Sequence, residues 1–288
     1  MTAAAATVGR VRRPFRRWSV LPGFGPALGF TMTYLSLIVL IPLAALFIKA
    51  AGLTWAEIWG ILGNSRVLAA FRLTFAASAA AALVNTMFGL VIAWLLVRYR
   101  FWGRRLVDAF VDLPFALPTA VAGVALSALT AQNGWIGSLF APLGIKIAYD
   151  VPGIIIALIF VGLPFVVRTV QPVLQDLEPE LEEAAATLGA DRWTTFSRVT
   201  FPALLPALLT GFALAFARAI GEYGSVIFIA GNKPGQTEIV PLLIVIKLEE
   251  FDYRGAAVIA VASLLIAFAL LIVINALQRW LGSRHGRG

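Results

Sequence analysis

Six apolar stretches recur along this chain, at residues 30–48, 73–97, 111–131, 152–170, 203–229 and 255–277, each with at most two charged residues. Each is close to or above the roughly 20 residues needed to cross a bilayer's hydrocarbon as a helix. Inside hydrocarbon every backbone N–H and C=O must be satisfied internally, which leaves helices or closed barrels. The runs are continuous rather than alternating, so helices are expected. The composition agrees: 60% of the 288 residues are hydrophobic and 13% charged, with mean hydropathy +0.89. A soluble domain of this size is excluded. The expected fold class is all-α, a polytopic membrane protein with six transmembrane helices.

The connections can be read from their punctuation. Residues 1–29 form a basic arm with Arg10, Arg12, Arg13, Arg16 and Arg17, where Pro14, Pro22, Gly23, Gly25 and Pro26 oppose a helix through most of its length. Trp55 and Trp59 suit a membrane interface in the connection 49–69. Pro114 and Pro164, each within a Leu-Pro-Phe, mark bends in the third and fourth spans, and Pro118 also lies near the start of the third. Ala76 to Ala82, interrupted by Ser78, and the run Gly211, Ala213, Ala215, Ala217 and Gly221 are small-residue surfaces that let helices approach closely. Residues 132–150 read as a loop. Residues 239–246 are apolar but too short to cross, and are expected to dip into the surface or cap a pore.

Six crossings put both termini on one side. Of the 23 Lys and Arg residues, fifteen fall on the side of the termini, seven on the other, and Arg218 within a span. The positive-inside rule therefore assigns both termini to the cytoplasm, which explains the net charge of +8 without nucleic acid. A multi-pass protein of the cell inner membrane is expected, with the lipid bilayer as its first partner.

One polar segment interrupts this pattern on the cytoplasmic side. Residues 176–202 read DLEPELEEAAATLGADRWTTFSRVTFP and carry six acids. Pro179 fits a first helical turn, and the acids from Glu178 to Glu183 suit the helix dipole. Leu181, Ala184, Ala185 and Leu188 fall at helical spacing. Gly189 is expected to stop the helix in a left-handed cap. A second short helix is expected from Asp191 to about Val199, before Pro202. The result is a bent pair of short helices with an alanine-lined face that a partner could approach.

Glu183-Ala184-Ala185, followed by Gly189, Val199 and Phe201-Pro202, resembles the EAA loop of bacterial ABC importer permeases. In that family the loop is the coupling helix that docks into a groove on the ATP-hydrolysing subunit. Residues 66–280 look like the five-helix core of the type I (MetI-like) permease fold, with coupling loop 172–202. Residues 30–65 then supply an added first helix and a periplasmic connection, and residues 281–288 a cytoplasmic tail. FARAIGEYGSVIFIAGN and KLEEFDY are similar to sulfate/thiosulfate permeases of the T type. The Gly-Glu-Tyr-Gly portion is shared with molybdate permeases.

Two charges lie inside the fifth span. Arg218 and Glu222 are four apart, so on a continuous helix they share one face and can pair. Charges at this depth face a bundle interior or a wet cavity. Arg218 could offer positive potential to an anion in a translocation path. Alternatively the two form a neutralised pair that fixes packing, the reading favoured because such a pair attracts an anion weakly. Arg168, near the end of the fourth span, can snorkel to the interface.

Other chemistry is unsupported. No Gly-x-x-x-x-Gly-Lys-Ser/Thr cradles ATP phosphates. With no cysteine and the single His285 in the tail, neither a metal cluster nor Cys-His or Ser-His catalysis is expected. No catalytic, cofactor-binding or metal-ligating residue is assigned, and an enzyme is not expected. The resemblance implies that ATP and Mg are bound by a partner ATPase dimer. It also implies a second, related permease forming a heterodimer and a periplasmic sulfate-binding protein. A molybdate or tungstate permease, or a gradient-driven anion transporter using Glu222 or Arg218, stays open as an alternative. In the coupling scheme Glu183, Ala184, Ala185 and Gly189 transmit force. Gly189→Val is therefore expected to leave the protein in the membrane but abolish ATP-driven uptake, and wild-type uptake by that variant would contradict the scheme.

Overall fold

The structure is a computed structural model that describes residues 24–285, with side chains described through Gln278. The expectations for the arm before residue 24, and for the side chains of the tail, lie outside these residues. Contacts divide the chain into one unit ending at Ile48 and another beginning at Lys49. In the first, helix α1 (Phe24–Ala51, whose last turn reaches the second unit) starts within the expected arm. Gly25 and Pro26 occupy its opening turn, where proline's missing N–H has no intrahelical partner to lose. A π turn at Ser36–Leu40 interrupts it.

The second unit is a helical bundle. Helix α2 (Trp55–Leu62) opens on a capping box in which the Thr54 side chain and Glu57 exchange bonds with each other's backbone. Helix α3 (Ser65–Arg98) runs 34 residues without a proline, longer than the expected 73–97, because Asn64 caps it eight residues earlier. Helices α4 (Arg104–Ala116) and α5 (Thr119–Thr130) replace the single third span, and their axes differ by 116°. Leu117 is extended ahead of Pro118, the conformation that proline imposes on its predecessor. Helix α6 (Val151–Asp176) contains Pro164 and Pro172. Short α7 (Pro179–Thr187) and long α8 (Arg192–Ile220) follow, then α9 (Val240–Glu249) and α10 (Tyr253–His285).

Contacts along the bundle fix its topology. Gly162 of α6 lies against Asn85 of α3, and Gly89 against Val166 and Val167. Nearer the start of both helices, Ala77 and Ala81 share a core with Ile154, Ala157 and Leu158. Helices α3 and α6 are thus parallel, so the chain between them must return the full length of the bundle. The broken pair makes that return. Asp108 and Asp112 of α4 bond Arg168 in the later half of α6, while the Thr130 carbonyl at the end of α5 accepts from Ala148 just before α6. The pair is one broken crossing rather than a re-entrant loop, and with it the apolar helices number six among the described residues.

Helix α8 returns antiparallel to α6, with Gly211 on Val166 and Ala215 near Gly162. Two expectations about it change. It absorbs the second short helix: Asp191 caps Arg192, and a π turn at Phe196–Thr200 leads straight into Phe201. The Phe201 N–H bonds the Phe196 carbonyl five residues back, and this wider turn accommodates Pro202 without ending the helix. At its other end α8 stops at Ile220, not near 229. The Gly221–Gly224 segment leaves the helix, and Val226–Ile229 is a separate single turn. Helix α9 is packed, not superficial, with Val240 and Leu243 fully buried beside Val67, Ala70 and Ile259. Residues 137–143 form two short turns within the expected loop.

The segment after α8 seats tightly against α5. A Cβ on Gly123 would lie 2.3 Å from the Ser225 carbonyl oxygen, whereas one on Gly221 would meet nothing within 4 Å. Gly123→Ala is expected to cost about 1–3 kcal/mol through overpacking. Gly221→Ala is expected to change stability by less than about 0.5 kcal/mol. Thermal denaturation of both variants in detergent checks the contrast.

Candidate functional site

Helix α7 ends as its sequence demands. Gly189 sits at φ +84°. Its N–H donates to the Ala186 carbonyl (3.0 Å) and the Ala190 N–H to the Ala185 carbonyl (3.0 Å), the paired bonds of a Schellman cap. Space is not the constraint there, since a Cβ would meet nothing within 4 Å. The backbone angle alone favours glycine. Asp191, two residues on, accepts from the Thr194 amide at 2.9 Å. The Thr194 side chain and backbone hold its carboxyl below the usual carboxylate range.

The helix divides its residues between two faces. Glu183 and Ala184 are exposed, as are Leu181 and Leu188, the latter 89% accessible. Glu182 and Ala185 are half-buried and turn toward the bundle. The expected apolar strip is therefore mostly an uncovered surface. Sequence reasoning passed over Glu182. Its Oε1 accepts from Arg98 Nη2 at 2.7 Å and from the Thr200 hydroxyl at 3.1 Å. The Arg98 guanidinium also lies 5.5 Å from the centre of the Trp94 ring, within range for a cation–π contact. Trp94 packs edge-on to Phe196, which neighbours Trp193 and Phe201. A cleft of about 300 Å³ opens between α7 and these residues, lined by Trp94, Glu182, Ala186, Arg192, Phe196 and Thr200.

Arg168 and Arg218 are also paired. Arg168 does not snorkel. It makes a two-pronged contact with Asp112 (2.8 and 2.5 Å), and bonds Asp108 (2.7 Å) and Gln171 (2.6 Å). Asp108 and Asp112 stand one turn apart on α4, a spacing that could have revealed the site. Arg218 and Glu222 do pair, though Glu222 lies beyond the end of α8 instead of on a shared helical face. The other Glu222 oxygen accepts from the Ser225 amide (2.8 Å) and hydroxyl (2.9 Å). With the carboxylate 2% exposed and fully engaged, the geometry is that of a neutralised pair closing a turn.

At the far end of α3, Arg66 grips Glu238 with two bonds of 2.7 and 2.6 Å. Glu238 also accepts from the Gly235 amide at 3.3 Å.

The comparisons with known proteins follow this architecture. Residues 85–287 match the family described as binding-protein-dependent transport system inner membrane component. The chain belongs to that family. It is 50% identical over 268 residues to the sulfate transport system permease protein CysT of Escherichia coli, covering 93% of this chain and 95% of that protein. Identity to CysT of Synechocystis is 50% over 255 residues, covering 88% and 89%. Among solved structures, a bacterial ABC transporter involved in alginate import matches with TM-score 0.73 at 17% identity, over 88% of this chain and 94% of that one. The MetNI methionine ABC transporter matches with TM-score 0.58 at 17% identity, over 80% and 99%. These two likenesses concern the fold. This permease is thus a multi-pass transport subunit of the type I importer architecture.

Acid should expose the Glu238 contact. The Arg66 guanidinium holds its carboxyl below the usual value of 4.5. A depressed folded value means that the stabilisation is fully present above pH 4.5 and is lost as pH falls through the lower folded value. Wild-type stability in detergent is expected to fall more steeply on acidification below that point than stability of Glu238→Gln, as read from thermal midpoints against pH.

Proposed function

We propose that this permease carries sulfate or thiosulfate across the inner membrane, driven by ATP hydrolysis in a partner ATPase dimer that docks on α7. The observation carrying the docking reading is α7 itself. It is a short helix held outside the bundle by a glycine cap, with Glu183, Ala184 and much of the apolar strip uncovered. Its spacing is that of the coupling loop in importer permeases. The names of the relatives at 50% identity support sulfate as the anion and give no support to molybdate or tungstate.

The α7 end of the bundle faces the cytoplasm in this reading, with both termini. The excess of Lys and Arg on that side supports the orientation. A second, related permease completes the pathway, and a periplasmic binding protein delivers the anion. ATP and Mg belong to the ATPase subunits. Glu183, Ala184, Ala185 and Gly189 transmit force between ATPase and bundle. Arg218 and Glu222 hold the turn after α8 in shape, since the engaged pair leaves little net field for an anion.

Purification of the tagged chain in mild detergent tests the assembly. A P-loop ATPase and a second permease are expected to accompany it. ATP-dependent uptake of labelled sulfate by the reconstituted complex is expected to fall on addition of thiosulfate and to resist molybdate. A chain that emerges alone and moves anions without ATP would overturn the reading.

A further inference from the structure

Among the described residues, helix α3 carries a paired arginine at each of its ends. Its 34 residues span about 50 Å at about 1.5 Å per residue. No proline interrupts it, and its closest packing is on α6 and α8. Arg98, in its last turn, holds Glu182 of α7. Arg66, in its first turn, holds the buried Glu238 in the segment before α9.

The Arg98 end is built for grip. Arg98 and Glu182 are 23% and 28% exposed, so both charges are substantially removed from water. Arg98 Nε is buried with no hydrogen-bond partner among the described residues. Losing the carboxylate would leave the guanidinium still more poorly compensated, and separating a desolvated pair is costly. Thr200, 1% exposed, adds a bond from α8 to the same oxygen. The backbone of α7 otherwise packs chiefly on the opening turns of α8.

We propose that Glu182 and Arg98 are positioning residues that lock α7 to α3. A displacement of α7 then moves α3 as a rod and carries with it the segment that Arg66 grips at the opposite end. The proposal rests on the reading of α7 as the docking site of an ATPase, and assigns a separate task to the inward face of the same helix. Glu183 and Ala184 meet the partner, while Glu182 passes the motion inward.

The test uses the complete transporter in proteoliposomes, with bound ATPase, ATP hydrolysis and sulfate uptake measured on the same preparation. Glu182→Gln is nearly isosteric and can keep the Thr200 bond while losing the charge. The ATPase is expected to stay bound and to hydrolyse ATP, while sulfate moved per ATP falls at least about fivefold, a typical coupling factor. The chain has no cysteine, so Arg98→Cys with Glu182→Cys can be bridged cleanly by a short bifunctional thiol reagent. Bridging is expected to restore uptake per ATP that the unbridged double variant lacks. Uptake per ATP in Glu182→Gln close to wild type would overturn the proposal, as would a bridged variant that stays uncoupled. Loss of the ATPase from Glu182→Gln would also overturn it, assigning that carboxylate to docking. Absence of the ATPase from the wild-type preparation would instead bring down the docking reading beneath it.

Discussion

The bundle depends on how closely α3 and α6 can lie together. Between helices surrounded by lipid there is little hydrophobic drive, so association comes from van der Waals contact and polar bonds. Small residues make that contact possible. A Cβ on Gly89 would fall 2.7 Å from Val166, and one on Gly162 would fall 2.5 Å from Asn85. Ala77 and Ala81 continue the seam toward the other end. Because this pair is parallel, the chain between must travel back. That requirement turns the Pro118 break into part of a crossing instead of a surface loop. Helix α8 then closes on the same seam from the other direction, with Gly211 against Val166.

Charge is distributed around this seam with economy. Three arginines of the long helices are matched by carboxylates from another element: Arg66 by Glu238, Arg98 by Glu182, Arg168 by Asp108 and Asp112. Arg218 is matched by a neighbour just past its own helix. Such pairs are poor evidence of stability, because desolvation offsets much of their attraction. Their use is positional. Each ties a connecting segment or a neighbouring helix to a long helix at a defined register.

Helix α7 shows the division of labour on the smallest scale. Nine residues present one face outward and one inward, and the glycine cap turns the chain straight back into α8. The π turn at Phe196–Thr200 is the price of that continuity, since it takes in Pro202 and places Thr200 against Glu182.

Much of this was legible in the amino-acid sequence. Uninterrupted apolar runs force helices, because hydrocarbon offers the backbone no other partner. Gly189 was readable because a left-handed cap excludes most other residues. The start of α7 was readable because Pro179 and its acids satisfy local rules. What the sequence could not decide were the outcomes that depend on distant contacts. The early end of α8 was obscured because Gly221–Gly224 adds no polar break except Glu222, whose partners became clear only with the fold. Pro202 reads locally as a helix stop, yet a wider turn upstream absorbs it. Arg98 counts among the basic loop charges until Glu182, 84 residues away, is brought beside it. Local sequence determined which segments are helical and where glycine and proline bend them. Tertiary structure alone decided which distant charges meet, because pairing across the bundle is set by helix direction and register, and neither is written in any single stretch.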